Sequence, residues 1–320
     1  MAELTQSPTP PAESLETPLW QVRLRLLMRG MLTNLALFAE NPIGLIGVAI
    51  IIFFLSLIII HPILMNTVWD PVVYNPVVGY DLTIPFNPAP PSARHLLGTD
   101  PLGRDVLSQL MWSTRSEFLL GIVAALVTVI IATTIGSMAA YYGGAIDAVF
   151  MRTADIFIMM PYITILIVMA ALFDLTLPLL ALILGILGGF GGATIIIKSQ
   201  ALTIKVRTYI EAARVAGGSN AHIILKHIVP NLLPLSFLYM MFAVNGAIAS
   251  EAVLSFFGLL NVRMSWGLMI YTSSYSGYLL DFTKWWLIFP ASIAISSLCA
   301  AFYLVGRALD EIVNPRLRKR

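Results

Sequence analysis

Six apolar stretches dominate the pattern along the chain, at about 43–63, 117–142, 155–173, 175–197, 230–256 and 285–306. Crossing the ~30 Å hydrocarbon layer of a bilayer takes ~20 helical residues, and a helix satisfies its own backbone hydrogen bonds there. Each stretch therefore predicts one membrane-spanning helix. Asp174 alone separates the third from the fourth, which requires a tight hairpin, and Leu177 and Pro178 suit a helix that begins at once. Ahead of the first span, Leu24, Leu27, Met28, Met31, Leu32 and Leu35 recur at three and four residues, with Arg23, Arg25 and Arg29 off that stripe. The pattern predicts an interfacial amphipathic helix over 20–40, its basic residues among lipid headgroups. Residues 1–19, rich in proline and without Lys or Arg, read as a disordered tail rather than a signal peptide. Residues 41–310 form the expected transmembrane domain, and 311–320 a basic tail. The fold class is thus an all-α membrane protein with six transmembrane helices and an N-terminal interfacial helix.

Composition agrees with this: 58% of the 320 residues are apolar and 11% charged, against roughly 25% charged in soluble domains. A net charge of +2 gives no support for nucleic-acid binding. Cys299 is the only cysteine, so an intrachain disulfide and a thiolate cluster are both excluded. With a cytoplasmic N-terminus, the outer segments carry Arg94, Arg104, Arg115, Arg263 and Lys284, and the other fourteen of the nineteen Lys and Arg lie inside. This satisfies the positive-inside rule. Both termini are then cytoplasmic, and 61–117 forms a long outer loop whose prolines resist regular helix or central strand.

Between the fourth and fifth spans, residues 198–227 read KSQALTIKVRTYIEAARVAGGSNAHIILKH, polar enough to leave the membrane. The run is helical in character to Ala216. Gly217 and Gly218 break it, and Ser219 or Asn220 can cap a second short helix. Two short helices around a glycine corner suit docking into a groove on a soluble partner.

Here the chain resembles a known family. Glu211-Ala212-Ala213, then Gly217, then His227-Ile228-Val229-Pro230-Asn231 are similar to the EAA loop of ABC importer permeases. The His and the Pro-Asn pair resemble the oligopeptide/dipeptide/nickel subgroup. So do GTDPLGRDVLSQL (98–110), YYGG with Asp147 and Arg152, EAVLSFFGL (251–259), SWG (265–267), WWLIFP (285–290) and the terminal NPRLR. The chain departs from the subgroup at 189–198, where Phe190, Gly191 and Ile195 replace a Trp-Pro pair and one of two basic residues, leaving Lys198. It departs again at Asn261, Val262, Arg263 and Met264. The resemblance implies a type I ABC importer permease fold in the prokaryotic inner membrane. It implies a homologous second permease, two ABC ATPase subunits and an external solute-binding protein as partners. Glu211, Ala212, Ala213, Gly217, Ser219 and Asn220 would be the residues that couple to the ATPase, with ATP and Mg held by the partner subunits and no cofactor in this chain. Peptides, oligosaccharides or nickel chelates are the implied solutes.

Other chemistry is weaker. Gly185, Gly188, Gly189, Gly191 and Gly192 lie within an apolar span with no preceding strand and no following Gly-Lys-Ser/Thr, so close packing or a hinge accounts for them better than a phosphate loop. Glu251 is a carboxylate at membrane depth, a functional candidate by default; with no second carboxylate in a comparable position, a structural role is expected. Asp147, Arg152 and Asp155 read as a boundary cluster paired within the subunit. The four histidines are scattered over both sides, and His222 and His227, five apart, do not share a face of an α-helix, so no metal site is expected. Asp100-Pro101 and Gly103 read as turn chemistry. A secondary transporter or channel is the alternative, and it would need ion sites within the membrane.

Overall fold

The computed structural model describes residues 37–313, so the proposed 1–19 tail, nearly all of the 20–40 helix and most of the 311–320 tail lie outside the described residues. Asn41 opens α1 (Pro42–Thr67): its Oδ1 accepts from the backbone N–H groups of Ile43 and Gly44 at 3.0 and 3.1 Å, and Pro42 needs no partner in the first turn. A short α2 (Pro71–Tyr74) starts the long loop, which ends where Asp105 caps α3 (Val106–Tyr142) through Ser108 N–H at 2.7 Å. α3 runs 37 residues, about 55 Å at 1.5 Å per residue.

After α3 come two bent pairs. α4 (Gly144–Met159) and α5 (Tyr162–Leu172) meet at 82°, with Pro161 at the joint; α6 (Leu177–Phe190) and α7 (Gly192–Lys205) meet at 43° across Gly191. A proline cannot continue the hydrogen-bond ladder and clashes with the preceding turn, while glycine tolerates a break at little steric cost. α6 begins at Leu177 with Pro178 in its first turn, as the Asp174 hairpin requires. Then follow α8 (Thr208–Val215), α9 (Asn220–Ile223), a π-helical turn at Ile224–Ile228, α10 (Val229–Phe256), α11 (Trp266–Tyr275), a 3₁₀ turn at Phe282–Leu287, and α12 (Phe289–Val313). Among the described residues four helices are long and apolar enough to cross a membrane, and six spans result if each bent pair is one.

α3 is the centre of the bundle, packed by α6, α7 and α10. The glycines of α6 permit this: a Cβ on Gly185 would lie 2.5 Å from Val127 and one on Gly189 2.7 Å from Ile131. The close packing expected of the glycine cluster is seen along α6, and the helix breaks at Gly191. Burial is uneven. Ile46, Ile52, Phe53 and Ile59 of α1 stay exposed, as suits a helix whose apolar face meets lipid rather than protein.

Candidate functional site: a corner at one end of α3 and a locked loop at the other

At the corner end, α8 closes in a Schellman motif. Gly218 N–H donates to Ala213 O and Gly217 N–H to Arg214 O, both at 3.0 Å, and Gly217 takes φ +82°. Ser219, rather than Asn220, caps α9, its Oγ accepting from His222 N–H at 3.3 Å. Asn220 instead accepts the Tyr141 hydroxyl at 2.7 Å. Ile210, Ile223, Ile224 and Ile228 anchor the corner in one apolar cluster with Ile197, Ala201 and Leu232 of its neighbours. Of the six residues singled out, Glu211, Ala212, Gly217, Ser219 and Asn220 are exposed, and Ala213 is half-buried against that cluster. Glu211 sits in the first turn of α8, where the helix dipole favours an acid. Val215, an apolar residue at the tip, is 89% exposed.

One expectation about histidine is corrected. The π turn at Ile224–Ile228 advances by i→i+5 bonding, so residues five apart do share a face, and the His222 and His227 rings meet edge-on at 5.6 Å. His61 and His95 stand at the loop end, separated by the rings of Trp69 and Tyr74, at the opposite end of α3 from His222 and His227. Among the described residues no group of three or more His, Cys, Asp or Glu could hold a metal ion.

At the loop end, charge is buried. His95 is 1% exposed, with Nδ1 2.8 Å from Asp105 and Nε2 3.2 Å from Asp81, and Arg94 adds an ion pair to Asp81 at 2.8 Å. Hydrogen bonding to Asp105 raises the His95 pKa against the opposing effect of burial, and Asp81 adds to the rise. Both ring nitrogens facing carboxylates calls for imidazolium, which donates from both. For Asp81, burial works upward, but bonds from Thr83, His95 and the charge of Arg94 prevail and hold its pKa below the ordinary value. GTDPLGRD makes the turn expected of it: Asp100 Oδ1 accepts from Leu102 and Arg104 N–H at 2.9 Å, and Gly103 takes φ +83°. Asp100 also binds Arg104 at 2.6 Å and accepts from Gln109 at 2.9 Å. Trp266 and Trp286 fasten this end, their indoles donating to Leu110 O at 3.0 Å and Thr99 O at 3.2 Å.

One pairing differs from the sequence reading and another refines it. Glu251 does have a buried companion, Glu117. α3 begins eleven residues before Glu117, so this acid lies within the helix rather than at the mouth of a span. Both side chains are fully buried, with Ser255 donating to Glu251 at 2.5 Å. The boundary cluster pairs within the subunit as expected, but in two parts: Arg152 and Asp155 pair loosely at 3.8 Å with exposed side chains, while Asp147 binds Lys198 at 2.5 Å. Lys198 thereby ties α7 to α4 below the glycine break.

A bundle of long apolar helices with an exposed, non-spanning corner between two of them marks a polytopic membrane protein. Residues 132–319 match the family described as binding-protein-dependent transport system inner membrane component. The dipeptide transport system permease protein DppC of Bacillus subtilis is 31% identical over 286 residues, covering 88% of this chain and 84% of that one. The oligopeptide transport system permease protein OppC of Haemophilus influenzae is 34% identical over 226 residues, covering 70% and 71%. The chain belongs to this family of ABC permeases, which are membrane components and not enzymes.

Proposed function

We propose that the chain forms half of the translocation pathway of an ATP-driven importer for peptides or a related solute, an oligosaccharide or a nickel chelate, delivered by an external binding protein. Its relatives' peptide-transport names support the solute class. A second, homologous permease completes the pathway, and two ABC ATPases dock on the corners. The observation that carries this reading is the corner itself: a rigid apolar anchor behind, and Glu211, Ala212, Val215 and Gly217 presented outward in front. The charge split supports both termini and the corner being cytoplasmic, with the loop end outside. ATP-driven closure of the ATPases would draw the two corners together. The corner must then bind differently in the two states of the pathway, since equal affinity shifts nothing.

Gly217→Arg tests docking but strains a backbone at φ +82°. Ala212→Arg is the cleaner variant, because Ala212 is exposed inside α8 and arginine is a good helix former. The variant is expected to insert and keep its thermal stability in detergent while losing the ATPase subunits on co-purification and losing uptake. Wild-type association and uptake would defeat the assignment of 211–220 to coupling. One observation favours the alternative, an ion-coupled carrier: the Glu117 and Glu251 pair, since buried membrane acids mark ion pathways. Gradient-driven uptake by the purified chain alone, lost in Glu117→Gln with Glu251→Gln, would establish that reading instead.

A further inference from the structure

Side chains from three successive elements of the corner region converge on two consecutive residues of α3. Lys205, ending α7, donates from Nζ to the Ala140 carbonyl at 3.0 Å. The Arg214 guanidinium of α8 stands 5.9 Å from the centre of the Tyr141 ring. Asn220 of α9 accepts the Tyr141 hydroxyl at 2.7 Å. The carbonyls of a last helical turn lack partners within the helix, and a cation there is favoured by the dipole, so Lys205 serves both needs. The Tyr141 ring is buried in the same apolar cluster that anchors the corner.

The helix so gripped is suited to carry a displacement. α3 runs unbroken from Val106 to Tyr142 with no proline, whereas α1 contains Pro62, α10 contains Pro234 and two other spans are bent by 82° and 43°. α3 also lies close against α7: a Cβ on Gly136 would stand 3.0 Å from the Lys198 backbone nitrogen. Apolar contact alone is non-directional and permits sliding. The Tyr141 and Lys205 hydrogen bonds are directional, and they hold the corner in one register on the end of α3.

We propose that Tyr141 and Lys205 are positioning residues that clasp the coupling corner to α3, so that a displacement of the corner moves α3 as a rod and reaches the loop end. This rests on the coupling reading above. The experiment uses the assembled transporter, chain and ATPase subunits together, in a Cys299→Ala background, with spin labels at Leu119→Cys on α3 and Ile59→Cys on α1, both exposed. In the otherwise wild-type complex, ATP with vanadate is expected to change the distance between the labels. Tyr141→Phe keeps the ring and the Arg214 contact, and it should retain the ATPase subunits and the unfolding temperature while losing that change. Lys205→Met should lose it and Lys205→Arg restore it. A wild-type change in Tyr141→Phe, or no change in the wild-type complex, overturns the clasp. Failure of the wild-type chain to retain the ATPases at all overturns the coupling reading, and the clasp with it.

Discussion

The two ends of α3 are built on opposite plans. At the loop end, polar groups turn inward: Asp81, His95, Asp100, Arg104 and Asp105 are each no more than 8% exposed and bind one another. At the corner end, the inward groups are mostly isoleucines with Tyr141 among them, and Glu211, Ala212, Val215 and Gly217 face outward. A buried charge is tolerable only when it is paired and hydrogen-bonded, so the loop end is complete in itself and resists rearrangement. An apolar anchor with an exposed polar and apolar front is incomplete, and its front is what a partner would cover. The same helix therefore joins a self-satisfied lock to a projecting, uncovered corner.

The comparison breaks most sharply at Asp105, which holds both the α3 N-terminus and His95. Removing one partner of a buried pair costs about 3–5 kcal/mol. Asp105→Ala is accordingly expected to lower the unfolding temperature in detergent by many degrees, and a near-wild-type value would show that the lock contributes little.

Cysteine labelling sharpens the contrast between the ends, in a Cys299→Ala background. A cysteine at Ser92, exposed beside the lock, should react with an impermeant thiol reagent in intact cells. One at Val215 should react only after lysis, and less once ATPase subunits are bound. Labelling of Ser92→Cys only after lysis would reverse the topology.

A smaller effect follows from pH. The folded pKa of His95 is raised above 6.5, so its contribution to loop-end stability is complete below pH 6.5 and is lost as pH rises through the raised value. Asp81 is shifted down from 3.8, so its contribution is present above that value and is lost as pH falls through the lowered one. Proteolytic nicking between residues 75 and 100 should therefore increase on the alkaline side, and His95→Gln should abolish that dependence without touching the corner. An unchanged alkaline profile in His95→Gln would remove the imidazolium from the account.

Least affected should be Ser219→Ala. Loss of an N-cap costs about 1 kcal/mol, and α9 is four residues long, fused to a longer helix and anchored by Ile223. A drop as large as that of Asp105→Ala would contradict the division between the two ends.

Much of the architecture was legible from local signals. The Asp174 hairpin, the Leu177 start, the Gly217 corner and the turn at Asp100 to Gly103 are each encoded by residues within a few positions of one another. The lock was not legible. Asp81, His95 and Asp105 are separated by fourteen and ten residues across an irregular loop, and no periodicity relates them. A histidine and several aspartates in a proline-rich loop were the only available hint. The edge-on meeting of His222 and His227 was hidden for another reason: residues five apart diverge on an α-helix, and here the chain makes a π turn.

Hydropathy along the chain determined that this protein is an all-α membrane bundle and where its corner projects, because transfer into lipid and helix capping are properties of short segments. Tertiary structure decided which distant residues meet: Glu117 with Glu251, Asp147 with Lys198, Tyr141 with Asn220. Those partners are brought together by how whole helices pack, which depends on shape complementarity summed over many residues and leaves no local trace in the sequence.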